Sequence, residues 1–466
     1  MQAELLKQVC EIVDTKAKTI AHIRDYLWNN PETLFMEFKS SDFIAKVLAE
    51  EGFEVEKPVH GLETAYTAKY LCGKPDAVKI GYLIEYDALP GLYQEAVTHK
   101  SPAQTDKPGH GCQHALLGAG ATGAAIALKN FVEQQNLNAD VYAFGTPAEE
   151  GGGGKIYFAD AGDYDGFDLI LTWHPYDVTR AWIESSVSAI AGTLEFYGRT
   201  SHAAASPWDG RSALDSALMF INSLEFMREH VPSTARIHYV INDGGKASNI
   251  VPEYAKISFQ VREATMNASL QLVEDMKLMA KAADMMSWRS WHGNKSKGYR
   301  PPEMKLDIGL WEFNPNKTSS IKIQEILTEI GAPAFDAADN KIARELQKNF
   351  GVDEIGLSDI ISPIDPEPPI FLASTDVCDV SWVAPTAQLW GATLPKGIAL
   401  HSWAATASTM MPFAIKGTII AAKALAITGL EAILNEEFRK NVSSEFTERT
   451  KHTKWQKIMN EHYIIS

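Results

Sequence analysis

The 466-residue chain has only four cysteines, Cys10, Cys72, Cys112 and Cys378, and their spacing marks no disulfide framework. That excludes a disulfide-stapled secreted scaffold and fits a reducing compartment, where each cysteine is a core thiol or a ligand. Basic charge is also short: 43 Lys and Arg face 59 Asp and Glu, a net charge of −16. An acidic surface repels nucleic acid and anionic membrane, so neither is expected as a partner. No uninterrupted apolar run reaches membrane-spanning length. The most apolar late stretch, residues 410–430, is broken by Lys416 and Lys423 and reads as a buried helix. Residues 1–18, MQAELLKQVCEIVDTKAK, lack the apolar core of a signal peptide, so a cytoplasmic location is expected. Internal repeats and low-complexity tracts are missing as well.

What remains is an ordinary globular composition, 45% hydrophobic and 22% charged. At about 150 residues per domain, two or three domains are expected. Residues 3–28 have helical spacing, and a second helix, N-capped by Ser40–Ser41, runs to about Glu51. Buried strands are expected within 77–91, 139–155 and 168–175, with a long helix over 115–135 between the first two. This alternation predicts an α/β fold, a mostly parallel sheet flanked by helices, whose sites form beyond the carboxyl ends of the strands.

Near residue 190 the pattern changes. A strand (188–198), a helix (211–231), two alternating strands (236–243 and 254–263), a helix (268–287) and a strand at Ser290–Tyr299 give the order βαββαβ, an inserted two-layer domain. The boundaries are placed at 1–188 and 303–466 for the catalytic domain and 189–302 for the insertion. A final long helix is expected over Ala404–Gly429.

The densest chemical cluster is His110-Gly111-Cys112-Gln113-His114. A thiolate and an imidazole two residues apart in extended chain point the same way and favour zinc or a similar metal. Glu149-Glu150 stands at a strand end before four glycines, where one carboxylate can bind metal and the other carry a proton. His174 ends the next strand and His401 precedes the last helix. Singly, each reads as well as a capped core residue or a solvated turn; together, four loops deliver donors where a sheet's sites form. In the inserted region, Ser201-His202-Ala203 follows the first strand. Asn249 and Arg262 lie on one small sheet that could clamp a carboxylate, although a turn residue and a surface ion pair are the plainer readings. Gly118, Gly120 and Gly123 match a dinucleotide-binding fingerprint, with Asp140 or Glu149 as the acidic partner. The segment before them is too short to be the required strand, so they read as close helix–sheet packing.

The strings EYDALPG (85–91), GHGCQHALLG (109–118), PAEEGGGGK (147–155), TWHP (172–175), HAAASPWDGRSALD (202–215), ASTDVCDVSW (373–382) and LHSW (400–403) run in order along nearly the whole chain. In them the chain resembles the M20 family of metallopeptidases and amidohydrolases, in the branch of aminoacylases and auxin-conjugate hydrolases. The resemblance implies a zinc-peptidase-like catalytic domain with an inserted dimerisation domain. It also implies two divalent ions, Zn²⁺ or Mn²⁺, held by Cys112, His114, Glu150, His174 and His401, with the thiolate bridging. Glu149 is implied as general base and His202 as the residue that reaches the partner's site and polarises the scissile carbonyl. Asn249 and Arg262 are implied to hold the substrate carboxylate.

The implied reaction is hydrolysis of N-acyl amino acids such as p-aminobenzoyl-glutamate, by a homodimer or a heteromer with a sister subunit. Dipeptidase or aminoacylase activity, or a metal-poor partner subunit, are the alternatives. Two positions depart from the family: Gln113 replaces the glycine between the ligands, and Ala115 replaces the Asp or Asn that follows. A bulky amide at 113 is expected to reshape the site, bind substrate or weaken one metal position. Ala115 is expected to remove a support for the ligands.

Overall fold

A computed structural model describes residues 3–102, 104–287 and 299–465. The chain forms two compact units. The first takes in the chain up to Glu184, Asn314–Pro369 and Thr375–Trp455; the second takes in Ser185–Phe313, Ile370–Ser374 and the chain from Gln456 onward.

The first unit is built on β1 (Glu54–Glu56), β2 (Tyr66–Tyr70), β3 (Val78–Ile84), β4 (Ala139–Gly145), β5 (Leu169–Tyr176), β6 (Arg180–Ala181) and, much later, a strand at Thr386–Ala392. The sheet order places that late strand between β5 and β6, with β2, β4, β3 and β5 on its other side and β1 at the edge. The four central strands are parallel, and the strands outside them are antiparallel. β3 and β5 and the late strand are apolar and buried along most of their length, as expected of a sheet covered on both faces. Two helices, His114–Gln134 and Pro412–Leu434, are long and apolar enough to cross a membrane, but both lie in the core and pack against each other.

Several expected boundaries move. The first helix is two, Ala3–Thr15 and Ala17–Asn29. The next begins at Phe38, with Ser40 and Ser41 buried inside it rather than capping it. Its first-turn N–H groups, at Lys39 and Ser40, donate to the carboxylate of Glu32, at 3.1 and 2.9 Å. The final long helix is also two, Trp403–Thr409 and Pro412–Leu434, because Pro412 lacks the N–H to continue a helix and instead starts one. A further helix, Glu436–Thr450, and a strand follow it.

The second unit holds β7 (Ser188–Tyr197), β8 (Arg236–Asp243), β9 (Tyr254–Glu263) and β10 (Glu303–Leu310). With β11 taken as the late strand of the first unit, β12 (Ile458–Ile464) completes the second sheet, which is antiparallel with order β12-β10-β7-β9-β8. The helices Ala213–Met227 and Met266–Ser287 pack on it and on each other, giving the expected two layers. Residues 303–313 and the C-terminal strand, assigned from sequence to the catalytic domain, belong to this unit, and Glu303–Leu310 and Ile458–Ile464 pair into its sheet. The strand expected at Ser290–Tyr299 lies almost wholly outside the described residues.

The three glycines of the false dinucleotide fingerprint lie within the helix His114–Gln134. A Cβ at Gly118 would stand 2.4 Å from the Glu85 carbonyl oxygen, and one at Gly120 would stand 2.8 Å from the Trp173 indole nitrogen. These glycines exist for close approach of helix and sheet. Gly118→Ala should therefore cost about 1–3 kcal/mol of stability through overpacking, read as a lower urea midpoint with an unchanged slope. An unchanged midpoint would refute the packing role.

Candidate active site

Four loops meet beyond the carboxyl ends of the parallel strands. β3 runs into Glu85 and Asp87, and β4 into the loop carrying Ala148, Glu149 and Glu150. β5 carries His174, and the chain after β11 carries His401 just ahead of the helix Trp403–Thr409. The turn 110–113 places Cys112 before the helix that His114 begins.

The side chains converge. Cys112, His114 and His174 offer ligand atoms within 4.8 Å of one another, and so do Cys112, Glu150 and His401. The two triads share one sulfur. Cys112 Sγ lies 3.5 Å from His174 Nε2, and Glu150 Oε1 lies 3.4 Å from His401 Nε2. All five ligands expected from sequence are thus together. A third group, Glu85, His114 and Glu149, adjoins them.

This donor set fits divalent cations. His114 Nε2 faces Glu85 Oε2 at 3.4 Å and Glu150 Oε1 at 3.9 Å, and all three are buried atoms with no hydrogen-bond partner. Buried polar atoms rarely go unpaired, and here they point at common ground instead of at each other. Thiol, imidazole and carboxylate are the donors of zinc-type sites. Burial, backed by the charge of Glu150, pushes the Cys112 thiol well above its ordinary range. Only a cation coordinated to the sulfur would displace that proton.

The neighbours divide by charge. Burial opposes protonation of His114, but the Asp87 carboxylate, 2.8 Å from Nδ1, and the Cys112 sulfur together outweigh it and raise the imidazole well above its usual value. Burial and the nearby His114 lower His174. Burial, with Glu85 and Glu150 close by, lifts Glu149 well above the carboxylate range. Burial also acts to raise Glu150, but the facing His401 and the charge of His114 more than offset it, and its carboxyl falls below the range.

Supporting residues without an individual role in the sequence reading surround the donors. Asp87 accepts from His114 Nδ1 and from the backbone N–H of Glu150, so one carboxylate orients a ligand and its loop. It supplies the support that Ala115, buried in the helix, lacks. Lys155, fully buried, pairs with Glu85 at 2.8 Å and Asp376 at 2.6 Å. Glu37, also fully buried, accepts from the backbone N–H of Phe35 and Ala148 and from the Thr64 hydroxyl, each at 3.0 Å. Acidic residues crowding the end of a central strand, and a lysine after four glycines, were the available signals. The Gln113 amide, expected from sequence to reshape the site, bind substrate or weaken one metal position, is engaged with the protein itself. Its side chain is buried, donating to the Ala405 carbonyl at 3.1 Å and accepting from the Thr393 hydroxyl at 2.7 Å.

His202, Asn249 and Arg262 belong to the second unit. His202 Nδ1 accepts from the backbone N–H groups of Ala204 and Ala205, which leaves the proton of the neutral ring on Nε2. The Ala203 N–H donates to the Asn249 carbonyl, so these residues share one end of the sheet. Arg262 lies at the opposite end of β9, a strand of roughly 30 Å at ~3.3 Å per residue. One copy of the chain therefore cannot close Asn249 and Arg262 on the same carboxylate. Arg262 donates to Ser374 Oγ at 3.0 Å, and among the described residues no carboxylate forms an ion pair with it. The surface ion pair considered from sequence is absent there.

Residues 185–285 match the peptidase dimerisation domain of the M20 peptidases. Over 96% of its length the chain is 30% identical to a subunit of the p-aminobenzoyl-glutamate hydrolase of Escherichia coli, covering 96% of that protein. The chain belongs to the M20 family. It is a metal-dependent hydrolase of amide bonds, as this M20 family is. A mouse Xaa-Arg dipeptidase is 30% identical over 61% of the chain and 62% of its own length. The fold is that of an M20 dinuclear metal-binding peptidase from Bacillus subtilis, with a TM-score of 0.54 and 17% identity over 89% of this chain and 98% of that one.

The Glu37 carboxyl, which braces the loop of Glu149 and Glu150, is raised from its ordinary 4.5 to about 7 by burial and by the charge of Asp87. Below the lower value the group is protonated in both states and stability is unaffected. Above it only the unfolded state ionises freely, so stability falls as pH rises through about 7. Between pH 5 and 8 the wild type should lose about 2–3 kcal/mol more than Glu37→Gln, from ~1.4 kcal/mol per pKa unit. Urea unfolding across that range measures it; parallel profiles for the two proteins would show that Glu37 ionises normally.

Proposed function

We propose that the chain hydrolyses N-acyl amino acids bearing a free carboxylate, p-aminobenzoyl-glutamate among them, with two divalent cations, Zn²⁺ or Mn²⁺. The observation that carries this reading is the pair of donor triads sharing the Cys112 sulfur. Cys112, His114 and His174 would hold one ion, and Cys112, Glu150 and His401 the other. Bound there, the ions supply a water of lowered pKa and polarise the amide oxygen.

The rest is the work of side chains. Glu149 stands outside both triads, 3.9 Å from His114 Nε2, and is the group left to carry a proton. It takes one from water and gives it to the leaving amine nitrogen. Burial and the neighbouring Glu85 and Glu150 raise its pKa, which supports that role, since a carboxyl shifted upward holds the proton it receives more firmly. His202 donates through Nε2–H to the carbonyl oxygen as negative charge develops. Arg262, half-buried and without a carboxylate partner among the described residues, takes the substrate carboxylate.

The separation of Asn249 and His202 from Arg262 along β9 supports a dimer in which a partner copy lends the first two. A sister subunit is the other candidate partner, since the Escherichia coli relative is named as one subunit of its enzyme. The free state of all four cysteines supports a reducing, cytoplasmic setting.

A panel of aromatic and aliphatic acylamino acids and dipeptides, run with defined Zn²⁺ or Mn²⁺, tests the substrate class. No hydrolysis of any acylamino acid with either metal would end the proposal, and a preference for dipeptides would move it to the dipeptidase branch. Glu149→Ala should keep its metal and lose more than ~10²-fold in kcat, the usual size of acid–base catalysis. Loss of metal with activity kept would exchange the roles of the two glutamates.

A further inference from the structure

We propose that Gln113 is a positioning residue that ties the turn bearing Cys112 and His114 to the segment bearing His401, and so sets the separation of the two donor triads. The proposal deepens the two-cation reading above and rests on it.

Four contacts join these segments. The His401 N–H donates to the Gly111 carbonyl at 2.9 Å, and the Thr409 hydroxyl to the His110 carbonyl at 3.3 Å. Gln113 supplies the other two, through Ala405 and Thr393, on either side of His401 in sequence. An amide can donate to a carbonyl and accept from a hydroxyl at once, through two atoms held a fixed distance apart. Glutamate cannot donate, and asparagine is one methylene shorter.

The backbone at Gln113 sharpens the argument. Its φ is +60°, the left-handed region that favours glycine. A glutamine held in that conformation is strained, and strain persists only where the surroundings enforce it. Here two hydrogen bonds in a fully buried setting enforce it.

The two triads do not depend equally on this tie. His114 and His174 sit in a helix and a strand of the core. The His401 side chain is 52% exposed and its own φ is +59°, so its place is set by the segment that Gln113 grips. Removing the tie should loosen the Cys112–Glu150–His401 triad and spare the other.

The test uses metal-free full-length protein titrated with Zn²⁺ against a chromophoric chelator, with thermal melts alongside. Wild type should take up two ions. Gln113→Gly and Thr393→Val should each bind one ion as wild type does and the other about 10–100-fold more weakly, the usual effect of losing a residue that orients ligands. Gln113→Gly should melt close to wild type, because release of the strained backbone offsets the lost hydrogen bonds. Thr393→Val removes a single hydroxyl and serves if the glycine variant does not fold. Wild-type affinity for both ions in a folded variant, or equal weakening of both, overturns the positioning role. Uptake of fewer than two ions by wild type overturns the two-cation reading, and the positioning role with it.

Discussion

Glu85, Asp87 and Asp376 are withdrawn from water at the carboxyl end of the parallel strands, and the side chains of Glu149 and Glu150 are only 10% and 9% exposed. Like charges at this spacing repel strongly in a low dielectric. Lys155 answers Glu85 and Asp376, and His114 answers Asp87. Imidazoles, those of His114, His174 and His401, are what face Glu149, Glu150 and the Cys112 sulfur at the centre. The uneven pKa values express the same conflict: Glu149 is forced toward the neutral acid, while Glu150, facing His401 and His114, keeps its charge. The fold brings these groups together, and a bound metal would relieve their crowding.

Three non-glycine residues of the site adopt left-handed backbone: Gln113, Ala148 and His401, with φ of 60°, 59° and 59°. Each adjoins or is a donor. Such conformations cost of order 1–3 kcal/mol apiece and survive where hydrogen bonds over-determine them. Glu37 holds the N–H of Ala148, Gln113 is held through its own side chain, and the N–H of His401 is held by Gly111. The strain aims side chains off the ends of regular elements toward one point, which neither a helix nor a strand would do alone.

Much of this was legible in the sequence because strands and helices bury apolar residues in regular periods. β3, β4, β5 and the inserted βαββ run were all found that way, and the five candidate ligands were found because they lie at the ends of those elements. The errors have physical causes. The helix expected from Ala404 breaks where Pro412 starts a new one. Ser40 looked like a cap, but the distant Glu32 carboxylate does that work. Asn249 and Arg262 do belong to one small sheet, yet a fully extended β9 separates them too far for one copy to clamp a carboxylate with both. Glu37 and Lys155 are ordinary charged residues in sequence. Only tertiary contact shows that they brace and neutralise the site. The orientation of Gln113 depended on the sign of a single backbone angle, which residue spacing does not encode.

The donors also differ in their access to water, and this orders the chemistry. His114 is fully buried, Cys112 nearly so, and the His401 side chain 52% exposed. The His401 side chain is the most open of the donors, and the opposite side is the packed core against the helix His114–Gln134. Glu149 and Glu150 are alike in exposure, 10% and 9%, and differ in company: Glu150 pairs with His401, whereas Glu149 is grouped with His114 and Glu85. A carboxyl so little exposed is shielded from bulk water, which preserves its raised pKa and its interaction with whatever proton it carries.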